Sequence, residues 1–167
     1  YGYHRDLHSF PTRRSSDLYI FIWALLWALL IAVAVFAFRR GGTPEKWGAG
    51  LILAITTASA LGDALLPDRI FLVARLIAEG ALALGFLMMA VRYASLWLGG
   101  VMLLQAVQFS LQAYYFVLGR SHDALYVVIN NIDFFGILAC LTAGTLAASR
   151  RRREAEARVN SPLPEAI

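Results

Sequence analysis

The sequence predicts an all-α integral membrane protein, built as an up-down bundle of five transmembrane helices. Hydrophobic residues make up 59% of the 167 residues and charged residues 16%, whereas soluble domains average about 45–50% and about 25%. The hydrophobic residues fall into runs of roughly 20, the length at which a helix crosses about 30 Å of hydrocarbon. Each run is expected to be helical, because a backbone in lipid must pair its polar groups within its own segment.

Five such runs follow one another, and each ends at glycine, proline or charged residues that stop a helix. The first is followed by RRGGTPEK, the second by PDR, the third by RYAS, the fourth by GRSHD and the fifth by RRRR. The predicted spans are residues 19–38, 47–66, 70–91, 96–118 and 124–148. Because the connections are short, consecutive helices are expected to lie antiparallel and adjacent, in one domain.

The first 18 residues, YGYHRDLHSFPTRRSSDL, fit no targeting signal, because they hold no apolar stretch and Pro11 interrupts their serine- and arginine-rich part. The stretch HSFPTRRSSDL resembles the translation of a short-read sequencing adapter. The whole segment matches that translation except at Tyr3, which a single base change would produce. The resemblance implies that residues 1–18 are an artefact, disordered and without function, and that the native chain starts near Tyr19. The alternative is a genuine basic arm.

Lysine and arginine predict the orientation, since cytoplasmic loops are enriched in both. Only Arg69 and Arg120 flank the spans on one side. Nine flank them on the other side: Arg39, Arg40, Lys46, Arg92, Arg150, Arg151, Arg152, Arg153 and Arg158. This asymmetry predicts an outside N-terminus and a cytoplasmic C-terminus. Aromatic residues expected at the two membrane interfaces are Trp47, Tyr93, Trp97, Tyr114, Tyr115 and Tyr126.

Residues 149–167 are predicted to form a basic cytoplasmic tail, whose first half could continue the last helix and whose proline-bearing end is expected to be disordered. The four arginines Arg150, Arg151, Arg152 and Arg153 are interpreted first as a topology anchor and second as a contact for anionic lipid or a partner. The expected partner is the lipid bilayer. Nucleic acid is not indicated, because the basic residues lie where membrane topology accounts for them.

Polar residues inside spans are the candidates for a functional site, because burying them in lipid is unfavourable without a partner or a purpose. Eight residues form this candidate polar site: Asp63, Arg75, Glu79, Gln105, Gln108, Gln112, Asn130 and Asp133. They lie from mid-span to the predicted outer ends, and the inner halves hold almost nothing ionisable. Two interpretations remain open, namely a hydrogen-bonded network that holds the helices together and a polar pocket that opens outward.

Spacing predicts how these side chains pair. Arg75 and Glu79 are four residues apart and are expected to form an ion pair on one helix face, with Asp63 as a competing partner for Arg75. The three glutamines follow one stripe of the fourth span, where amides bond between helices. Asn130 and Asp133 are expected to share a face.

Small residues recur every four positions in two spans and permit close helix contact. They are Ala54, Ala58 and Gly62 in the second span, and Gly136, Cys140, Gly144 and Ala148 in the fifth. Packing within the bundle is the first interpretation, and an oligomer seam is the second. The lone cysteine is expected to be a packing residue, and His122 a residue of a solvated turn. We expect no catalytic, metal or cofactor site, because no nucleophile–base or metal-ligand pattern is present.

The stretches FRRGGTPEKWGA and RYASLWLGGVMLLQAVQF resemble segments of small uncharacterised proteobacterial membrane proteins with several spans. The resemblance implies a bacterial inner membrane but no activity. The first functional hypothesis is therefore a non-enzymatic structural or accessory membrane protein. The alternative is a small transport or sensing protein that uses the polar site.

Overall fold

A computed structural model describes residues 13–120 and 123–160, without the side chains of residues 13–19, 68 and 69. These residues form five helices and no strand, which confirms the predicted all-α fold. The helices are α1 (Arg13–Arg40), α2 (Thr43–Leu65), α3 (Asp68–Tyr93), α4 (Leu96–Leu118) and α5 (Ala124–Asn160). All five are long and apolar enough to cross a membrane.

The largest differences between the helix bounds and the predicted spans occur at three places. α1 begins at Arg13 rather than at Tyr19, so the last residues of the adapter-like segment are helical. α2 begins at Thr43 instead of residue 47, and α5 continues to Asn160 through the first part of the tail. The expectations for residues 1–12, His122 and residues 161–167 lie outside the described residues.

The early start of α2 has a local cause. Gly42 is the N-cap, Pro44 occupies the first turn, where its missing N–H is not needed, and the Glu45 carboxylate accepts a hydrogen bond from the Gly42 N–H at 2.9 Å. At the far end of the fourth span, Gly119 ends α4 with φ +59, a left-handed conformation that glycine adopts without steric strain.

The helices pack as a ring in which each contacts its neighbours in sequence and α1 contacts α5; α2 and α5 also touch across the interior. Four short connections make successive helices antiparallel, so α1, α3 and α5 run in one direction. We call the end that holds the α1–α2 and α3–α4 connections the basic end, because it carries Arg39, Arg40, Lys46 and Arg92. The other end holds the α2–α3 and α4–α5 connections and is called the opposite end.

The apolar core fills the half of the bundle nearer the basic end. Its buried side chains include Ala37 of α1, Ala49 of α2, Phe86 of α3, Leu98 of α4 and Leu141 of α5. The outer surface of the same helices is also apolar: Val91, Leu103 and Val117 are 79%, 73% and 79% exposed. An apolar exterior around a helical bundle is suited to contact with lipid.

The small residues of α5 lie against α4, as the packing interpretation requires. A Cβ added to Gly136 would meet the Leu104 side chain at 2.8 Å, and one added to Gly100 would meet the Cys140 sulfur at 3.0 Å. In α2 the same spacing gives a different result, because Ala54 and Ala58 are exposed. An oligomer contact through that α2 face stays a prediction.

Candidate functional site

Polar side chains from α3, α4 and α5 meet inside the bundle, on the side of the core nearer the opposite end. We call the five residues Glu79, Gln105, Gln108, Asn130 and Asp133 the polar layer. Gln105, Gln108 and Asp133 are 0%, 4% and 5% exposed. Gln105 and Gln108 are one turn apart on α4, so they reach the two helices that flank it, α3 and α5.

Each glutamine of the polar layer donates a hydrogen bond to a side chain of a neighbouring helix. The Gln105 Nε2 group donates to Glu79 Oε2 of α3 at 2.8 Å, and the Gln108 Nε2 group donates to Asn130 Oδ1 of α5 at 2.8 Å. Interhelical amide bonds of this kind contribute about 1 kcal/mol each in membranes. The side-chain amides of α4 therefore join three helices at one depth.

Three side-chain oxygen atoms of the polar layer have no protein partner. Gln105 Oε1, Gln108 Oε1 and Asp133 Oδ1 are buried without a hydrogen bond from any described residue. They belong to residues that line a small cavity of about 100 Å³, together with Thr56 of α2 and apolar side chains that include Ile137 and Leu138. Because all three unpaired atoms are acceptors, the arrangement is suited to a hydrogen-bond donor or a cation.

The structure brings together five of the eight candidate site residues and leaves three outside the cavity. Asp63 is exposed near the end of α2, and Gln112 donates to the Tyr126 hydroxyl at 2.6 Å instead of reaching the layer. The Arg75 guanidinium lies 5.7 Å from the centre of the Tyr126 ring, a cation–π distance.

The predicted ion pair between Arg75 and Glu79 is wrong. Among the described residues, salt bridges within 4.0 Å do not include these two, and Glu79 is engaged by the α4 amide instead. Arg75 extends along the bundle towards the aromatic ring, as a long side chain with an apolar stem does. Its charge acts on Glu79 only through space.

A second polar cluster closes the bundle at the opposite end. The Tyr115 hydroxyl donates to Asp123 Oδ1, which also accepts the backbone N–H of Tyr126 at 3.0 Å, and the two tyrosine rings meet edge to face at 5.2 Å. Tyr115 and Tyr126 are each 4% exposed, so these two residues near the span ends face the interior of the bundle. Their hydroxyls bond inside the bundle, whereas Tyr114 is exposed as expected.

The Asp123 contacts predict an acid-dependent stability. The hydrogen bond from Tyr115, followed by that from the Tyr126 backbone, holds the pKa of Asp123 below its ordinary value of 3.8. A lowered folded-state pKa stabilises the fold above the unfolded-state value, and the stabilisation is lost as pH falls through the folded-state value. In detergent, the difference in melting temperature between wild type and Asp123→Ala should therefore be full at pH 6 and shrink below about pH 4. A difference that stays constant down to pH 3 would contradict this.

Sequence reasoning missed the most deeply buried carboxylate. Glu45 is 1% exposed and accepts hydrogen bonds from the Trp97 Nε1 group at 3.0 Å and from the Gly42 backbone. The half of the bundle nearer the basic end therefore holds a buried carboxylate, in a residue that precedes the predicted second span. Trp97, near the start of α4, is only 8% exposed and faces the interior of the bundle. The three-residue spacing from Gly42 to Glu45, with Pro44 between them, is the helix-start signal that would have indicated this residue.

Within the part of the chain that the structure describes, no group of three or more His, Cys, Asp or Glu residues could hold a metal ion. No protein-family model matches the chain, and no curated protein or solved structure matches it either. The chemistry of the site is thus defined by its own geometry: two carboxylates and three amides, with unpaired oxygens around one small cavity.

Proposed function

We propose that this protein is a small transport or sensing protein of a bacterial inner membrane, which takes up a small donor or cation at its polar layer. The observation that carries the proposal is the set of three buried acceptor atoms without protein partners. A network that only holds helices together gains most when every buried polar group is paired. Each buried acceptor left unpaired costs about 1–3 kcal/mol, so such atoms around a shared cavity favour a ligand site.

The second candidate function is a non-enzymatic structural or accessory membrane protein. It is favoured by the two amide bonds that join α4 to α3 and α5. On this hypothesis the carboxylate of Asp133 is a packing group, and replacing it loosens the bundle. The two functions therefore differ in what they predict for the same substitutions.

The orientation is part of the proposal. Nine of the flanking basic residues belong to the basic end and its tail, which supports a cytoplasmic basic end and an outside opposite end. A reporter that is active only in the cytoplasm, fused after Ile167, tests this, and activity only from a periplasmic reporter would reverse it. Anionic lipid is the proposed ligand of Arg150 and Arg151, which border a groove between α4 and α5 of about 890 Å³.

Substitution of the layer carboxylates separates the two functions. Asp133→Asn removes a charge whose Oδ1 atom has no protein partner, and Glu79→Gln keeps an acceptor for Gln105. If the polar layer is a ligand site, both variants, purified in detergent, should unfold at or above the melting temperature of the wild type. A structural network predicts a loss of about 1–3 kcal/mol for each.

Glu45→Gln is the matched control, because both oxygens of that carboxylate accept hydrogen bonds. An amide there turns an NH₂ group towards a donor, so the control should lose stability under either hypothesis. Loss of stability in Asp133→Asn as large as that in Glu45→Gln would overturn the proposed function in favour of the structural one.

A further inference from the structure

We infer that the cavity of the polar layer binds a monovalent metal cation of the size of Na⁺, held by the Asp133 carboxylate and the side-chain oxygens of Gln105 and Gln108. This inference rests on the proposed function, since it names the ligand of the same site. It is carried by the identity of the unpaired atoms, the size of the cavity and the balance of charge around it.

The hydrogen bonding of Gln105 fixes which end of its amide remains free. Glu79 offers only acceptors when ionised, so Gln105 must direct its NH₂ group to the Glu79 carboxylate, and its Oε1 atom is left unpaired. A reversed amide would place two acceptor oxygens against each other. The site is therefore an oxygen site, and oxygen ligands select hard cations rather than soft metals or anions.

The cavity admits only a small ligand. Its volume is about 100 Å³, whereas one water molecule in the liquid takes up about 30 Å³. A single alkali cation with one or two waters fits this space, and a sugar, an amino acid or a nucleotide does not. Apolar side chains, which include Leu82, Ile137 and Leu138, form much of the remaining wall.

Charge favours one positive charge over two. Among the described residues, the charged groups near the polar layer are Glu79, which acts on Asp133, and Arg75, which acts on Glu79; α4 contributes amides, and α2 contributes Thr56. When both carboxylates are ionised, they and the one arginine carry a net charge of −1, which a bound monovalent ion neutralises. Ca²⁺ takes about 6–8 oxygen ligands, more than the three unpaired oxygens around this cavity.

Polar side chains continue from the layer in one direction only. Gln112 lies one turn beyond Gln108 on α4, and Tyr126 lies one turn before Asn130 on α5, both towards the opposite end. Towards the basic end the site is closed by the buried core, which includes Phe86 and Leu141. The polar side chains next to the cavity therefore lie on its side towards the opposite end, where the Tyr115–Asp123 cluster is found.

The test is the thermal unfolding of the purified full chain in detergent, in NaCl and in choline chloride at equal ionic strength and constant pH. A ligand that binds the folded state raises its stability in proportion to the logarithm of its concentration above Kd. We expect the melting temperature to rise with NaCl and not with choline chloride. Asp133→Asn should weaken the apparent Na⁺ affinity at least about tenfold, a change of about 1.4 kcal/mol.

Gln112→Ala is the control, since this residue lies on the same stripe but outside the cavity, and it should keep the full response to Na⁺. If NaCl raises the melting temperature of Asp133→Asn as much as that of the wild type, the inferred position of the site is wrong. If the melting temperature of the wild type is the same in NaCl and in choline chloride, the inferred binding of a cation is wrong. This comparison needs no variant. If Asp133→Asn is then still as stable as wild type, the proposed function stands with a different small ligand; if it is destabilised, the proposed function fails as well.

Discussion

Glu45→Ala should strongly destabilise the protein, although the residue lies in the first turn of α2, next to a loop. The substitution leaves the indole N–H of Trp97 and the backbone N–H of Gly42 without their carboxylate. Each buried donor left unsatisfied costs about 1–3 kcal/mol, and hydrogen bonds to a charged group lie at the upper end of that range. Chemical or thermal unfolding in detergent micelles measures the loss.

The matched control for this prediction is Glu156→Ala. Glu156 is exposed on the last turns of α5, where Arg152 contacts it at 3.1 Å within the same helix. An exposed pair of this kind contributes about 0.3–0.5 kcal/mol, so the control should unfold close to wild type. A double-mutant cycle with Trp97→Phe isolates the indole bond, and a coupling near zero would show that Glu45 acts through Gly42 alone.

Gly144→Ala should be the second large loss, because the added methyl group has no room. Gly144 is buried on α5, and a Cβ there would lie 2.6 Å from the Cγ and Cδ1 atoms of Trp97. The indole cannot move away easily, since Glu45 holds its N–H and Gly48 of α2 lies against its far edge. Overpacking of a rigid core site typically costs about 1–3 kcal/mol, which exceeds the gain of about 1 kcal/mol from replacing glycine in a helix.

Gly99→Ala tests whether the loss at Gly144 comes from the contact or from the helix. Gly99 is also helical, on α4, but a Cβ there meets nothing within 4 Å. This control should be neutral or more stable by up to about 1 kcal/mol. Both variants are compared by their unfolding midpoints in the same detergent, and similar midpoints for the two would refute the contact with Trp97.

The five helices were predictable because a membrane-spanning helix needs only a long apolar run that ends at a helix-breaking segment. A run of about 20 apolar residues and a break that carries glycine, proline or charge are both visible in one sequence. The start of α2 was less predictable, since RRGGTPEK contains both loop residues and a helix start. If this segment were a loop, Glu45 would be exposed to water, whereas the structure buries Glu45 in the core.

The candidate site was predictable in its membership more than in its contacts. The spacing of Gln105 and Gln108 indicates one face of α4, but it does not say that one amide reaches α3 and the other reaches α5. The spacing of Arg75 and Glu79 permits an ion pair, and a better-placed amide from another helix prevails. Periodicity defines which residues share a face, whereas the partner of that face depends on how the helices are arranged around the ring.

The length of α5 has a mechanical consequence. Its 37 residues extend about 55 Å at 1.5 Å per residue, and a bilayer core is about 30 Å thick. The same helix thus carries Asp133 about 14 Å from its start, near the middle of the bilayer core. Beyond the face at the basic end it carries a stem of exposed charged residues. One continuous hydrogen-bonded helix joins Asp133 to this stem. A rotation of α5 about its axis at the polar layer therefore turns the stem by the same angle.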